Sequence, residues 1–419
     1  MPSGADYKIM DRAILHCDMN NFYASVECML DPSIKDKPVA VCGNVKERHG
    51  IVLAKNYPAK YKGVKTGEAI WQAKNKCLDL VVIDKPHFDQ YEKYSRLAKK
   101  MYKEYTDMVE PMGLDECWLD VTKSVKLFGK PEKIADTLRE RVKKEFGLTI
   151  SVGVSFNKTF AKLGSDMKKP DATTVITREN FKTLIWNLPV SDLLGVGRKT
   201  NEVLKRYFIN TIGDLANEKP ERLEYLLGKN GVALYYAANG LEDDIVQKYD
   251  ELEEVKSISH GITTTKDLKN NDEVWKTMLE LSQEIALKLR SKGLRAGGVM
   301  VSIRDENLQW EQYQERFKTS EQSAINIAKA AFNLFTSRYD WSRLIRTVTV
   351  GAINLIEEGT PEQIGIFDNN ERKEKIEKAE KCMEDLNIRF GTDIVKNASI
   401  MEVENLPNAR RRIKYDIKK

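Results

Sequence analysis

Asp115 and Glu116 stand side by side, after Met112-Gly113-Leu114 and just before the apolar run Cys117-Trp118-Leu119. The run reads as a buried strand fed by a glycine-containing turn. Successive strand residues point to opposite faces, so neighbouring acids share one site only where the backbone turns. Carboxylates fixed there suit a hard, oxygen-seeking cation such as Mg2+. An isolated Asp-Glu pair is more simply a solvated hairpin tip, but a second stretch changes the weighting. Ala13 to Cys17 reads as a buried strand that ends in Asp18-Met19-Asn20-Asn21, and Phe22 to Glu27 opens a helix. If the two strands pair, their acids and a neighbouring backbone carbonyl could hold two metals. Two ions about 3.5–4 Å apart can activate an attacking hydroxyl and stabilise a leaving phosphate oxygen. His16 alternates with Asp18 in strand register and reads as a core or supporting residue rather than a ligand.

The run Asp18-Met19-Asn20-Asn21-Phe22-Tyr23-Ala24-Ser25-Val26-Glu27, taken with Leu114 to Asp120, resembles the catalytic signature of the Y-family translesion DNA polymerases. Within them it is similar to the bacterial DinB, or DNA polymerase IV, branch (the UmuC/ImpB/MucB/SamB family). The resemblance covers roughly residues 10 to 405. It implies an α+β, multidomain, right-hand polymerase with palm, fingers, a helical thumb built on a helix-hairpin-helix, and a C-terminal little finger. Carried onto this chain, Asp18, Asp115 and Glu116, with the Met19 carbonyl, would bind two Mg2+. Tyr23 would be the steric gate against a 2′-hydroxyl, with Phe22 packed beside it. Tyr57 and Lys60 in the fingers would contact the triphosphate. So would Lys162, the second lysine of the Lys-x-x-Ala-Lys pattern. A cation aimed at the transferring phosphoryl group stabilises charge that grows in the transition state. The chain departs from the family at Asn20, often Asp, and at Gly113, often Ser. Lys60 stands where Arg is usual, which keeps the charge but loses the bidentate fork.

The elements that must position these residues follow in order. Residues 39–43 and 50–54 read as a hairpin pair of strands. His87 to Tyr105 and Pro131 to Phe146 read as helices with apolar stripes, Tyr91 falling on the first. Residues 148–155 read as a strand. Residues 142–171 hold six Lys against three acids. Leu193-Leu194-Gly195-Val196-Gly197-Arg198-Lys199 resembles a helix-hairpin-helix turn, in which Gly195, Gly197, Arg198 and Lys199 would hold a DNA phosphate. Beyond a charged linker the pattern is strand 257–265, helix 272–292, strand 298–304, a further strand near Trp310, helix 320–337 and strand 346–355. That order suits a small sandwich with one sheet face open. Lys288, Arg290, Lys292, Arg295 and Arg304 form a basic stripe free of acids, which fits phosphate binding. Gln363-Ile364-Gly365-Ile366-Phe367 resembles the bacterial sliding-clamp motif, with Gln363, Ile364, Ile366 and Phe367 as its contacts. Residues 371–386 read as a charged helix, and Arg410 to Lys414 as a basic tail.

The expected boundaries are palm 1–20 and 87–180, fingers 21–86, thumb 181–249, linker 250–256, little finger 257–357 and a clamp-binding tail 358–419. A chain of 419 residues is too long for one ordinary core. With 68 Lys plus Arg against 63 Asp plus Glu, its net charge of +5 proves nothing by itself about nucleic acid. The six cysteines lie far apart, without Cys-x-x-Cys, and free thiols in a reducing cytosol account for them. No run approaches membrane-spanning length, and the N-terminus lacks the apolar core of a signal peptide.

The resulting expectation is a DNA-templated DNA polymerase of the translesion type, with low fidelity and no proofreading exonuclease. Its partners would be primer-template DNA, a dNTP and the sliding clamp, with no membrane. It would act as a monomer in the bacterial cytoplasm. A nucleotidyl cyclase also uses paired acids on palm-like strands, but it needs no hairpin thumb, basic stripe or clamp peptide. A non-catalytic DNA-binding scaffold would need those features and not the acids, and all three acids are present.

Overall fold

The computed structural model describes residues 12–43, 50–251, 255–362, 370–391 and 394–398. They form two compact units, one over residues 12–43 and 51–251, the other over the described residues from 255 on. The first unit is built around β1 (Ile14–Met19), all six residues of which are buried. The chain then runs through α1 (Phe22–Leu30), β2 (Val39–Cys42), β3 (Val52–Lys55), α2 (Tyr57–Tyr61), α3 (Ile70–Lys76) and β4 (Val81–Ile83). β2 pairs with β3 antiparallel, as the hairpin pattern predicts, and with β4 in parallel. The β4 pairing was not legible in sequence, because three residues are too few to show a period. Ala40, Val52, Ile70 and Ala73 form a small core of their own.

Next come α4 (Phe88–Lys103), β5 (Val109–Pro111), β6 (Glu116–Asp120), α5 (Val125–Phe128), α6 (Pro131–Phe146), β7 (Ile150–Ser155), α7 (Lys158–Met167) and β8 (Thr173–Val175). The sheet order is β5-β6-β1-β7-β8, with β1 antiparallel to both neighbours. Alternation sorts its side chains onto two faces. Leu15, Cys17 and Met19 join Tyr91, Ala98 and Met101 of α4 and Ile134, Leu138 and Val142 of α6 in the main core. Ile14 and Trp118, on the opposite face, pack with Ala161 of α7. His16 and Asp18 share that second face by register. α7 starts where the Asn157 side chain accepts the Phe160 N–H at 2.8 Å, a cap that supplies one of the helix's missing acceptors. It lies unusually close to β7. A Cβ on Gly153 would run into the Ala161 carbonyl oxygen and come within 2.6 Å of the Ser165 nitrogen. That close approach brings α7 down onto the face that carries Asp18.

Five short helices complete the unit: α8 (Phe181–Ile185), α9 (Arg198–Arg206), α10 (Ile212–Ala216), α11 (Pro220–Leu227) and α12 (Lys229–Ala238). Ile185, Leu193, Leu204, Ile212, Leu215 and Leu234 form their core, together with Phe156 and Phe160 at the start of α7.

The second unit has β9 (Ser257–Leu268), α13 (Asn271–Ser291), β10 (Leu294–Asp305), β11 (Trp310–Glu321), α14 (Ala324–Thr336), β12 (Ile345–Glu357) and α15 (Asn370–Phe390). Its antiparallel sheet has the order β11-β10-β12-β9. Val274, Met278, Leu281 and Ile285 of α13, with Ile327, Ala331 and Phe335 of α14, cover one face. The strand-helix-strand-helix-strand reading holds, with one shift. β11 runs to Glu321, and α14 begins only after Ser323 caps it, so the helix expected from 320 starts four residues later. The Gln363–Phe367 peptide and the Arg410–Lys414 tail lie outside the described residues.

Candidate active site

Asp18 and Glu116 face each other across the β1–β6 ladder. One step further along, the Met19 N–H donates to the Asp115 carbonyl at 3.0 Å. That bond makes Asp18–Glu116 a non-hydrogen-bonded pair, the kind whose side chains lie closer together. Asp115 precedes the first residue of β6. It lies in the bend at residues 112–115 that feeds the strand, and the charges of Asp18 and Glu116 act on it.

Two ammonium groups sit among these acids. Lys162 Nζ lies 3.3 Å from Asp18 Oδ2, 3.1 Å from Glu116 Oε1 and 3.1 Å from Asp166 Oδ2. Lys169 Nζ lies 2.8 Å from Asp18 Oδ2 and 2.9 Å from Asp166 Oδ1. Burial disfavours the charged forms of both lysines, but the surrounding carboxylates raise their pKa values above the ordinary one. Burial raises the Asp18 carboxyl in spite of both lysines. Burial also raises Asp115, with the charges of Asp18 and Glu116 adding to it. Glu116 behaves differently. Burial opposes its charge, yet His16 and Lys162 draw it down to about 2. Buried carboxylates that repel one another favour any cation able to enter. Among the described residues, no group of three or more His, Cys, Asp or Glu side chains stands ready to hold a metal ion. The lysines hold the acids instead. An all-oxygen donor set of three carboxylates is nevertheless chemically suited to Mg2+.

His16 is buried behind the acids. Ser165 Oγ donates to the Lys162 carbonyl at 2.7 Å and lies 2.8 Å from His16 Nδ1. His16 Nε2 is 3.5 Å from Glu116 Oε2, and burial lowers the imidazole's pKa. His16 thus backs Glu116, as its strand position suggested. Asn20 is buried and satisfied at both ends. Its Nδ2 donates to Ser151 Oγ at 2.9 Å, and its Oδ1 accepts the Asp171 N–H at 2.9 Å. The amide there ties β1 to β7 and to the turn before β8, which a carboxylate cannot do by donation. Gly113 is a neutral departure in steric terms, since a Cβ would sit 3.7 Å from Asp115 Oδ1.

Tyr23, the expected sugar gate, lies against Tyr91, with ring centroids 4.3 Å apart and planes 11° from parallel. Phe22 packs 5.7 Å from Tyr23 and is buried. The Tyr91 hydroxyl donates to Glu27, whose carboxylate also accepts the His87 N–H at 3.1 Å and lies 3.0 Å from His87 Nδ1. Tyr23 also feels the charge of Asp115, which together with burial raises its phenol pKa. Tyr57 opens α2, and its phenol pKa is raised by burial, with the charges of Lys169 and Asp18 acting on it in opposite directions. Lys60 is exposed, with its Nζ 5.6 Å from the Tyr57 ring centre.

Lys169, Asp166, Glu27 and Tyr91 were not singled out as site residues from sequence. The pattern Lys-x-x-Ala-Lys followed by Lys169-Pro170 was the available signal for Lys169. Tyr91 was legible only as one position of an apolar stripe.

Outside this cluster, Gly195 has φ of +91°, a left-handed conformation that glycine adopts without strain. Gly197 caps α9, and Arg198 and Lys199 are exposed at its start. In the second unit Lys292 is exposed at the end of α13. Arg304 donates to the Leu308 carbonyl at 3.2 Å and lies over the Trp310 ring at 5.5 Å. Arg295 does not stand open: it bonds Glu377 at 2.7 Å and Ser320 Oγ at 2.9 Å. No helix among the described residues is long and apolar enough to cross a membrane.

Comparison with known proteins agrees with this geometry. The impB/mucB/samB family matches residues 17–166, and the C-terminal domain of the same family matches residues 255–366. The chain is 47% identical to DNA polymerase IV of Acetivibrio thermocellus over 397 residues, which cover 95% of this chain and 99% of the relative. It is 35% identical to DNA polymerase IV 1 of Bacillus subtilis over 394 residues, 94% of each chain. Its fold is similar to that of a solved Y-family DNA polymerase chimera, with a TM-score of 0.73 and 24% identity over 83% of this chain and 100% of that one. Paired acids at adjacent strand ends, a stacked tyrosine pair and these likenesses agree: the chain belongs to the impB/mucB/samB family, among the DinB-like Y-family DNA polymerases.

Proposed function

We propose that the chain is a template-directed DNA polymerase of the translesion type, which joins a deoxynucleotide to a primer 3′-hydroxyl and releases pyrophosphate. The observation that carries this reading is the meeting of Asp18, Asp115 and Glu116 at one sheet edge, with Tyr23 and two lysines around them. Asp18, Asp115, Glu116 and the Met19 carbonyl are the groups that would hold two Mg2+. When bound, such ions lower the pKa of the attacking hydroxyl and neutralise charge on the leaving phosphate oxygen. The chain's own residues do the rest. Tyr23, backed by Tyr91, closes the space that a 2′-hydroxyl would need. Tyr57, Lys60, Lys162 and Lys169 bring donors and positive charge to the triphosphate. His16 and Asn20 hold the acids and their strand ends in place. Positioning and charge neutralisation supply most of the rate enhancement in such a transfer.

In this reading the five-stranded sheet with α4, α6 and α7 is the palm, the three-stranded sheet the fingers, the five short helices the thumb and the second unit the little finger. Gly195, Gly197, Arg198 and Lys199 hold the duplex backbone, and Lys292 and Arg304 add phosphate contacts. The Gln363–Phe367 peptide tethers the enzyme to a sliding clamp. The enzyme works as a cytoplasmic monomer on damaged templates, with low fidelity and without an exonuclease.

Primer extension with Mg2+ and four dNTPs, comparing the native chain with Asp115→Asn, tests the reading. Template-directed extension that is lost in the variant, with DNA binding kept, is expected. No extension by the native chain, or full extension by the variant, would overturn it.

A further inference from the structure

α15 is a charged helix, with six acids balanced by six bases, and the side-chain bonds that tie it to α13, β10 and α14 are made mainly by its charged residues. Its half-buried charged positions are Lys373, Glu377, Glu380 and Glu384, and the half-buried Ile376, Met383, Leu386 and Ile388 lie among and beyond them. Arg290, at the end of α13, forks onto both oxygens of Glu384, with its Nε at 2.9 Å, and approaches Glu380 at 3.5 Å. Arg295, at the start of β10, bonds Glu377 at 2.7 Å. Glu380 also accepts the backbone N–H groups of Ala324 at 2.9 Å and Ile325 at 3.1 Å, and the Ser323 hydroxyl at 2.9 Å. Its carboxylate therefore occupies the N-terminus of the 13-residue helix α14, where orphan donors and the helix dipole attract an anion.

Apolar packing does not lock this helix down. No side chain of residues 371–390 is fully buried. The apolar core of the unit, from Ile258 to Ala352, draws no member from α15. A helix held mainly by ion pairs is loosened by salt more than one held by apolar packing. Three glutamates thus take up the two arginines in the middle of a stripe otherwise free of acids. Arg–carboxylate and Arg–phosphate forks share one geometry.

We infer that α15 is a displaceable arm whose Glu377, Glu380 and Glu384 occupy a phosphate-binding surface made by Arg290, Arg295 and the first turn of α14, and that the phosphate backbone of DNA competes with them for that surface. The arm lowers the affinity of the chain for DNA until a duplex long enough to reach the second unit displaces it. This inference rests on the DNA-binding reading given above.

The thiol of Cys382 offers the probe. It is exposed on α15, whereas Cys28 is half-buried and Cys17, Cys42, Cys77 and Cys117 are buried. With Cys28→Ser in the full chain, a fluorophore on Cys382 reports the arm's mobility by anisotropy. At constant ionic strength primer-template DNA should lower that anisotropy well below the level that sodium chloride alone gives. The triple variant Glu377→Gln, Glu380→Gln, Glu384→Gln should show low anisotropy without DNA and bind primer-template roughly three- to tenfold more tightly. Two freed arginines should steepen the slope of log K against log salt by about two. If the triple variant does not fold by circular dichroism, a chain ending at residue 369 replaces it in the same titration.

An anisotropy that DNA leaves unchanged, or lowers no further than sodium chloride at the same ionic strength, would overturn the inference. So would an unchanged DNA affinity and slope in the variant. DNA binding by the unmodified chain is read in the same titration. A chain that binds DNA with its arm unmoved refutes the arm alone, whereas a chain that does not bind DNA refutes the polymerase reading.

Discussion

Tyr23 and Tyr91 lie face to face, 4.3 Å between ring centres, and Glu27 holds the second ring by its hydroxyl. The proposed gate residue is thus one of a stacked pair braced from behind rather than a lone ring. Tyr23→Ala should admit ribonucleotides. Tyr91→Leu should loosen sugar selection more mildly. A stacked aromatic pair contributes about 0.5–1.5 kcal/mol beyond its buried area, which corresponds to roughly two- to tenfold in discrimination. The ratio of dNTP to rNTP incorporation efficiency for each variant checks this. A Tyr91→Leu enzyme with native sugar selection would show that Tyr23 needs no brace.

Lys162 is shared by Asp18, Glu116 and Asp166. Lys162→Met should lower kcat/KM for dNTP incorporation by on the order of a hundredfold, the scale found when one preorganised electrostatic donor is lost. It should leave binding of primer-template near normal. Single-nucleotide kinetics paired with a DNA-binding titration separates the two. Unchanged kcat/KM would remove Lys162 from the reaction.

The contact between β7 and α7 has no room for a side chain at Gly153. Gly153→Ala should cost about 1–3 kcal/mol, the range for overpacking a filled core, and should also shift Lys162 away from the acids. Thermal unfolding together with primer extension reads both effects. A variant with native melting and native extension would mean that α7 is not seated as described.

Asp171 accepts hydrogen bonds from Arg139 at 3.2 Å and Lys143 at 3.0 Å. Burial opposes its charge, but Lys143 and Arg139 hold its carboxyl below the ordinary value of 3.8. A carboxyl depressed in the folded state adds stability above its unfolded pKa, and that stability is lost as pH falls through the folded value. Asp171→Asn should therefore lower stability at neutral pH and flatten the acid limb below about pH 4. Denaturant midpoints measured from pH 7 to pH 3 test this. Parallel curves for the two proteins would contradict it.

Deleting Gln363 to Phe367 should leave distributive synthesis intact and end stimulation by a sliding clamp. Extension assays with and without loaded clamp decide it. Stimulation that survives the deletion would place the clamp contact elsewhere on the chain.

Much of the site was legible because its parts are local. The acids of Asp18 and of Asp115-Glu116 sit at the ends of short apolar runs, and a strand that stops at a turn announces where its last side chain goes. The helices 87–105 and 131–146 were readable from their stripes, since a helix must bury one face whatever covers it. The stripe could not say that Tyr91 would lie under Tyr23. Nor could a basic run say which of its charges stay open.

What the sequence by itself determined is the chemistry available: three carboxylates, an aromatic pair, a lysine-rich segment and a basic stripe, each in its own element. Only the tertiary structure decided the partners. It set Lys162 and Lys169 between the acids because α7 crosses the sheet with no side chain at Gly153 to hold it off. It closed Arg290 and Arg295 with glutamates 94 and 82 residues further along, on α15. The physical reason is that a charge takes the counter-ion that folding brings within a few ångströms, and the energy of that meeting falls with distance and solvent rather than with separation along the chain.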